Sequence, residues 1–192
     1  MLELSLTPVP QLSTARLLLR PIATDDLDAL FALRSDPRVM QHIDRPLAKS
    51  IDDAVKLMAD MRAALESKAG ITWAIARRGA AEMIGTIGFY RIEALHHRGE
   101  LGYLLRPDCW GQSLTSEAAR AVVAYGFDVL RFHRIEACVA PANAASFGLL
   151  ESLGFKREAH MIQNHHFEGA FLDTLVYGRL CTQGPLPPRR SG

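Results

Sequence analysis

The sequence lacks the features that define several large classes of protein. It has no apolar run long enough to span a bilayer, and its first eleven residues lack the basic start and apolar middle of a signal peptide. Its 22 lysines and arginines nearly balance 21 aspartates and glutamates, which leaves a formal net charge of +1. We therefore expect neither a membrane nor a nucleic acid as a partner, because no spanning segment or strong basic charge is present.

Cysteine is also scarce. The three cysteines, Cys109, Cys138 and Cys181, are odd in number and do not have the spacing of metal ligands. The sequence thus predicts no disulfide framework and no metal, and it favours a reducing, cytoplasmic location. Two adjacent histidine pairs, at 96–97 and 165–166, do not change this expectation, because neighbouring side chains on a strand point to opposite faces.

The remaining composition is that of an ordinary globular protein. The chain has 192 residues, of which 48% are hydrophobic and 22% charged, and this length suits one domain with a sizeable core. Residues 1–12 are predicted to be an N-terminal extension and residues 13–180 the domain itself. Residues 181–192 contain three prolines within four positions, so we expect a disordered tail there.

Hydrophobic periodicity divides the domain into strands and helices. Alternating leucines in Arg16–Arg20 predict a strand. Thr24 then offers an N-cap for a helix that Asp36-Pro37 ends, and Ser50 with Asp53 resembles the capping box of a second helix. That second helix is expected to reach Gly70 and to bury an apolar stripe of Ile51, Val55, Met58, Met61 and Leu65. The other expected elements are strands at 71–77, 82–90, 100–105, 133–139, 158–166 and 170–180, and helices at 115–130 and 143–153.

The order of these elements indicates the class of fold. One strand, two helices and three strands are followed by helix, strand, helix and a final pair of strands. A run of hairpins inside an alternating pattern favours a mixed, mostly antiparallel sheet with helices on its faces. The sequence therefore predicts a single α/β (α+β) domain with a twisted sheet and helices on both faces.

Two loop-to-helix junctions carry the chemical information. Residues 106–118 form a tight loop that opens a helix, and the unpaired backbone N–H groups at such a start suit an anion. Residues 139–155 combine a strand end, a proline, the helix cap Asn143 and a Gly-Phe exit. By itself, the first junction is equally compatible with a plain capped turn that holds no ligand.

Together the two junctions resemble the acetyl-CoA site of the GNAT superfamily of N-acetyltransferases, and most closely the branch that includes the ribosomal-protein N-terminal acetyltransferases. The likeness extends over about residues 13–180 and includes the opening Thr14–Pro21 and Asp36-Pro37. It implies acetyl-CoA as cosubstrate, an amine as acceptor, and direct transfer in a ternary complex. Homodimers are common in the branch, so the resemblance also allows a homodimer, although no surface patch in the sequence predicts one.

The loop at 106–118 departs from the branch at several positions. Branch members usually have Trp-Gly-Lys-Gly-x-Ala-x-Glu-Ala here, and this chain keeps the tryptophan, the first glycine and the Glu-Ala. Gln112 replaces the usual lysine, while Ser113 and Thr115 stand where glycine and a small residue are expected. A left-handed backbone at Ser113 would cost on the order of 1 kcal/mol, because the residue has a Cβ atom.

The resemblance nevertheless implies a phosphate site in this loop. We expect backbone N–H groups from Gln112 through Thr115, including that of Leu114, to bind the CoA pyrophosphate. Thr115 or Ser116 would cap the helix, and the hydroxyl of either could add a phosphate contact.

The second junction supplies the residues expected near the thioester. Asn143 is a good N-cap, and the matching asparagine of the family also contacts the pantetheine arm or an adjacent group. The resemblance makes Ser146 the candidate acid for the departing thiolate, against the alternative of an ordinary helical serine. Many GNAT enzymes use a tyrosine at the position of Leu150, which is absent here. Leu104 and Phe147 complete the residues that the resemblance assigns to the cofactor.

The strand at 100–105 supplies the remaining expected groups. By position, one of its backbone N–H groups would bind the acetyl carbonyl where two strands splay apart. Glu100 is the candidate general base, acting through water, against the alternative of a surface carboxylate. Tyr103 either lines the site or packs, and packing is favoured.

The sequence thus predicts an acetyl-CoA-dependent N-acetyltransferase. Neutralising a lysine amine at pH 7 costs about 4.6 kcal/mol, whereas an α-amine costs about 1–1.4 kcal/mol. With one plausible base, an N-terminal α-amine of a protein or peptide is favoured. The alternatives are a small-molecule amine, such as a polyamine or an aminoglycoside-like compound, a CoA-binding protein without catalysis, and a pure interaction domain.

Overall fold

The computed structural model of this chain describes residues 2–188, which contain eight strands and five α-helices. Most of the expected boundaries agree with the structure to within one or two residues. The strands are β1 (Leu12–Ser13), β2 (Leu17–Pro21), β3 (Ile71–Arg77), β4 (Met83–Glu93), β5 (Arg98–Leu105), β6 (Arg134–Val139), β7 (Lys156–Phe167) and β8 (Ala170–Leu180). The helices are α1 (Leu27–Ser35), α2 (Pro37–Met40), α3 (Ile51–Glu66), α4 (Leu114–Asp128) and α5 (Ala144–Ser152).

All eight strands belong to one sheet in the order β1-β2-β3-β4-β5-β6-β8-β7. Every neighbouring pair is antiparallel except β5 and β6, which run parallel. The predicted mixed, mostly antiparallel sheet is confirmed. The helix α4 forms the crossover that a parallel pair requires, because the end of β5 must be carried back to the start of β6.

Helices cover both faces of the sheet, as predicted. On one face, α4 and α5 bury a large cluster with alternate residues of β3, among them Trp73 and Ile75. On the other face, α1 and α3 pack on the intervening strand residue Ala74 through Leu30, Leu33 and Ala54. Successive side chains of a strand point to opposite faces, so one strand contributes to both layers.

The first helices differ in detail from the prediction. Thr24 is not the N-cap, because a 3₁₀ turn at Thr24–Asp26 precedes α1 and the Asp26 carboxylate accepts the N–H of Ala23 at 2.8 Å. Asp36 ends α1 as expected, but its carboxylate also accepts the N–H of Arg38 at 2.8 Å and so opens the short α2, which was not predicted.

The helix α3 keeps its expected cap and loses part of its expected apolar face. Asp53 accepts the backbone N–H of Ser50 at 3.2 Å, in agreement with that half of the capping box. Of the predicted stripe, Ile51 and Val55 are exposed, and the fully buried residue of α3 is Ala54. Helix α3 therefore packs on α1 through the face that carries Ala54, and this small residue lets the two helices approach closely.

The C-terminal segment differs from the expected disordered tail. Residues 181–183 form a 3₁₀ turn, and the buried Arg179 donates to the carbonyl oxygens of Gly184 at 2.8 Å and Pro185 at 3.1 Å. Leu186 packs against the main core. Residues 189–192 of the predicted tail lie outside the described residues. Within the described range, no helix is long and apolar enough to cross a membrane.

A buried carboxylate joins the N-terminal strands to α4. Glu117 is 2% exposed, and its oxygens accept the Thr14 hydroxyl at 2.6 Å, the Arg16 N–H at 2.8 Å and the Arg16 Nε at 2.8 Å. Burial raises the pKa of Glu117, but these hydrogen bonds and the Arg16 charge outweigh it and hold the pKa at about 2. The contact fixes the first turn of α4 against the sheet edge.

We expect Glu117→Gln to lower the free energy of unfolding by about 1–3 kcal/mol, because an amide has only one accepting oxygen and leaves a donor of Thr14 or Arg16 without its acceptor. Since the folded-state pKa is depressed, the contribution is complete above the unfolded value near 4.5 and is lost as pH falls towards about 2. Urea denaturation at pH 7 and pH 3 measures both effects. The control is Glu66→Gln, an exposed position; equal stability of the two variants at pH 7 would contradict the assignment.

Candidate active site

The site is built around a gap between β5 and β6. The two strands pair only at Arg98–Glu100 with Arg134–Glu136, and beyond Glu100 they separate. Residues 101–105 therefore have no partner in β6, although they remain paired with β4. A cavity of about 580 Å³ occupies this region. Its walls are Leu101–Leu105 of β5, Ala137–Val139 of β6, residues 109–111 and 113–116 before and within α4, Ala140, residues 142–146 and Leu149 of the α5 region, and Arg38, Val39 and residues 41–43.

The register of β5 determines which backbone groups face the gap. Arg106 donates its N–H to Ile84 O at 2.9 Å, and hydrogen-bonded pairs alternate along an antiparallel ladder. Leu104 and Gly102 therefore direct their N–H and C=O groups to β4, whereas those of Leu101, Tyr103 and Leu105 point to the β6 side. The pairing of Glu100 with Glu136 uses the Leu101 N–H, so the Leu101 C=O and the backbone groups of Tyr103 and Leu105 face the gap. The Leu105 carbonyl follows this alternation: it points away from β4 and accepts the Trp110 indole N–H at 2.8 Å.

This alternation limits the role predicted for Leu104. The residue lines the cavity, as expected of a cofactor contact. Its N–H group, however, is committed to the ladder with β4. The backbone N–H group that is predicted to bind the acetyl carbonyl must therefore belong to an odd-numbered residue of the strand. Backbone directions alternate regularly along a strand, so the sequence alone could have supplied this signal.

The start of α4 collects unpaired N–H groups. Within residues 2–188, no hydrogen-bond acceptor contacts the N–H groups of residues 111–116. Gly111 at φ 71° and Ser113 at φ 56° give the loop two left-handed residues, which turn its backbone around the helix end. The helix begins at Leu114 with Ser113 at its N-cap position, so neither Thr115 nor Ser116 is the cap. The arrangement is a concave set of donors that fits an anion.

Five residues of this loop were predicted to bind the cofactor, and four of them reach the cavity. Ser113, Leu114, Thr115 and Ser116 line it. The side chain of Gln112 is instead held on the loop's other side: it accepts Arg77 Nη2 at 2.7 Å and donates to Asp108 O at 3.0 Å. Its role is reduced to its backbone N–H.

The helix α5 brings Asn143 and Ser146 to the cavity as predicted. Asn143 caps the helix, because its side-chain oxygen accepts the Ser146 N–H at 3.1 Å. Both residues line the cavity. Phe147 does not: it packs against the main core, and so it supports the helix from behind. Leu150 is fully buried in the same core.

A tyrosine from the opposite wall meets Ser146. The Tyr103 hydroxyl lies 2.6 Å from Ser146 Oγ, and both residues line the cavity. Burial raises the pKa of Tyr103 to about 12, so the phenol keeps its proton throughout the physiological range. The prediction that Tyr103 packs is incomplete, because alternation along a strand does not reveal what a side chain meets across a gap.

Glu100 is the last residue of β5 that pairs with β6, and it is not part of the cavity wall. Its carboxylate is bound to Arg91 Nη1 at 2.8 Å and is 22% exposed. Burial raises the pKa of Glu100, and the neighbouring Arg91 opposes this shift. Tyr103 lies three positions after Glu100, which corresponds to about 10 Å along the strand. A role as base would therefore have to act through water.

Two further side chains bear on the chemistry. Cys138 lines the cavity, but burial and the nearby Glu100 carboxylate raise its pKa to about 11, so the thiol stays protonated at neutral pH. His42 also lines the cavity and was not singled out in the sequence. His165 binds Asp44 at 2.6 Å and thereby links β7 to the loop that carries His42.

Comparison with known proteins establishes the family. A family model for the acetyltransferase (GNAT) domain matches residues 16–156. The chain is also 39% identical over 168 residues to an uncharacterized N-acetyltransferase, YoaA, of Bacillus subtilis (strain 168), a match that covers 88% of this chain and 95% of YoaA. The chain therefore belongs to the GNAT acetyltransferase family. It is an acetyl-CoA-dependent N-acetyltransferase, as the resemblance implied.

Two solved structures share the fold at lower identity. RimL, a ribosomal L7/L12 alpha-N-protein acetyltransferase in complex with coenzyme A, has a TM-score of 0.81 at 21% identity, covering 89% of this chain and 98% of that one. Spermidine N-acetyltransferase from Vibrio cholerae, in complex with CoA and spermine, has a TM-score of 0.77 at 21% identity, covering 88% and 98%. These two proteins are named for different amines, so the shared fold does not determine the acceptor.

The left-handed Ser113 gives a prediction about stability. Replacement of Ser113 by glycine would relieve a backbone strain of about 1–2 kcal/mol. Glycine also loses more backbone freedom on folding, but this costs only about 0.5–1 kcal/mol. We expect Ser113→Gly to raise the free energy of unfolding by about 0.5–1 kcal/mol in urea denaturation. In the control Ala124→Gly, within α4, glycine is expected to cost about 1 kcal/mol. Destabilisation by both variants would contradict the strain at residue 113.

Proposed function

We propose that this protein transfers the acetyl group of acetyl-CoA to a primary amine, the N-terminal α-amine of a protein or peptide, directly within a ternary complex. The observation that carries the proposal is one continuous cavity. It extends from the unpaired N–H groups of residues 111–116 to the gap between β5 and β6, and it ends near Ser146.

The donor set suggests how CoA would bind. The pyrophosphate is assigned to the N–H groups at the start of α4, where the helix dipole also favours negative charge. The pantetheine arm would then enter the gap and replace the missing strand, with its amides against the Leu101 C=O, the Tyr103 N–H and C=O, and the Leu105 N–H. The acetyl carbonyl would accept one of these N–H groups.

The reaction needs three things from these residues. A neutral amine attacks the thioester carbon, a backbone N–H stabilises the oxyanion, and the C–S bond breaks to release CoA thiolate. The nitrogen loses one proton and the sulfur gains one, so the step is balanced. Ser146 is assigned the hydrogen bond to the departing sulfur, since its hydroxyl lines the cavity.

Glu100 is assigned the removal of the amine proton, through water. Its raised pKa supports this role, because a base is most effective when its pKa approaches the working pH. Its distance from the cavity and its bond to Arg91 make it a weak base for a lysine amine, whose pKa is about 10.4, compared with about 7.7–8.0 for an α-amine.

The cavity lining favours an α-amine over a polyamine. Among the described residues that form its walls, Arg38 and His42 are the titratable side chains of basic character, and no aspartate or glutamate is present. A polyamine or aminoglycoside carries several positive charges and would need carboxylates beside it. A peptide N-terminus carries a single amine and does not.

Binding of CoA tests the phosphate site directly. Thr115→Pro removes one N–H in the first helical turn, where proline is tolerated, whereas Thr115→Ala removes only the hydroxyl. We expect isothermal titration to show a CoA Kd raised about tenfold in Thr115→Pro and little changed in Thr115→Ala, since one charge-assisted hydrogen bond is lost in the first case only. Absence of any heat with the wild-type protein at millimolar CoA would refute the site.

Turnover tests the acceptor and the base. In a thiol-release screen of peptide N-termini, polyamines and aminoglycosides, we expect peptides to be acetylated.

For the wild-type protein at acidic pH, log kcat/KM should rise with pH with a slope of about 2, because both the amine and Glu100 must lose a proton. Glu100→Gln should lower the rate and reduce this slope to about 1. The control is Glu93→Gln, which breaks a similar ion pair, with Arg98. Preference for polyamines, or a slope unchanged in Glu100→Gln, would overturn the corresponding assignment.

A further inference from the structure

Tyr103 is a partly buried titratable group in the cavity wall that the proposed reaction does not use. It stands in the part of β5 that β6 leaves unpaired, and its hydroxyl is 2.6 Å from Ser146 Oγ on α5. The two residues are 43 positions apart in the chain, and the cavity lies between the elements that carry them. A close hydroxyl pair at the wall of a reaction cavity constrains the direction in which each O–H can point.

The donor in this pair follows from the chemistry of the two groups. A phenol is more acidic than an aliphatic alcohol, so Tyr103 is the better donor and Ser146 Oγ the better acceptor. With Tyr103 donating, the O–H of Ser146 has no acceptor within residues 2–188. The backbone N–H of Ser146 is bound to the Asn143 side chain at 3.1 Å, which fixes the helix turn, and the contact with Tyr103 holds the position of Oγ.

We propose that Tyr103 is a positioning residue for the acyl transfer: its hydroxyl donates to Ser146 Oγ and turns the Ser146 O–H towards the sulfur of CoA. This proposal rests on the proposed function, because it needs CoA in the cavity. The pair stabilises the thiolate as it forms, when the C–S bond breaks and its electron pair moves to sulfur. Tyr103 keeps its own proton, and the sulfur is later protonated by the proton that the amine has released to water.

The acidities of the groups involved explain why the pair donates a hydrogen bond to the thiolate rather than a proton. A proton moves poorly from a phenol with a pKa near 12 to a thiolate whose conjugate acid has a pKa of about 8.5. A charge-assisted hydrogen bond to the thiolate needs no such transfer and is strongest in a site that excludes water.

The pKa of the bound CoA thiol tests the proposal without an acceptor amine. It is obtained from the ultraviolet absorbance of the thiolate, as the difference between complexes with CoA and desulfo-CoA. We expect Ser146→Ala and Tyr103→Phe each to raise it by about one unit, the loss expected for one hydrogen bond to a charged group. The double variant should raise it no further, because both residues act through the same O–H.

Turnover provides the second measurement. Tyr103→Phe should lower kcat about tenfold and leave the KM for acetyl-CoA within about twofold, since the pair acts on the departing sulfur rather than on binding. The control is Tyr125→Phe in α4, whose ring packs edge-on against Trp73 at 5.5 Å, outside the cavity; it should leave the thiol pKa and kcat unchanged.

The outcomes separate this inference from the proposed function. A thiol pKa that rises in Ser146→Ala but not in Tyr103→Phe would overturn the positioning role alone, as would additive effects in the double variant. Normal CoA binding with unchanged thiol pKa in both single variants would overturn the pair as a thiolate site. Failure of the wild-type protein to bind CoA would overturn the proposed function, and the role of Tyr103 with it.

Discussion

The separation of β5 from β6 is the constraint on which the rest of this structure depends. A parallel pair needs a crossover, and here the crossover helix α4 begins next to the open end of the pair. The same break in pairing therefore does two things. It leaves the Leu101 C=O, both backbone groups of Tyr103 and the Leu105 N–H without strand partners, and it places the unpaired N–H groups at the start of α4 near them. A sheet that remained paired to the end of β5 would offer neither.

The buried Glu117 holds this geometry in place. Its carboxylate binds Thr14 and Arg16 from the segment before β2, and Arg16 also donates to the Gln112 carbonyl at 3.0 Å. The first turn of α4 and the loop before it are thus attached to the far edge of the sheet, although about a hundred residues separate the partners in the chain. Such an attachment is needed because Ser113 holds a left-handed conformation that a non-glycine residue disfavours.

The sequence predicted the parts of the site that depend on local chemistry. The cap at Asn143, the helix that follows it and the loop that opens α4 all have local signatures, and the structure contains each of them. What sequence could not predict depends on contacts between distant elements. Periodicity does not distinguish the exposed Ile51 from the buried Ala54, because the face that α3 presents is set by α1. Nor does it bring Tyr103 to Ser146, which requires the gap to have formed.

The position of Tyr103 follows from the geometry of a strand. Its backbone N–H points in the plane of the sheet into the gap, while its side chain rises to the face on which α5 packs. One residue therefore turns a backbone N–H towards the gap and places its phenol 2.6 Å from Ser146 Oγ. On α5 itself, one turn after Ser146, Leu150 is fully buried and contributes to the core. The strand is thus the element from which a second hydroxyl reaches Ser146 without loss of core packing.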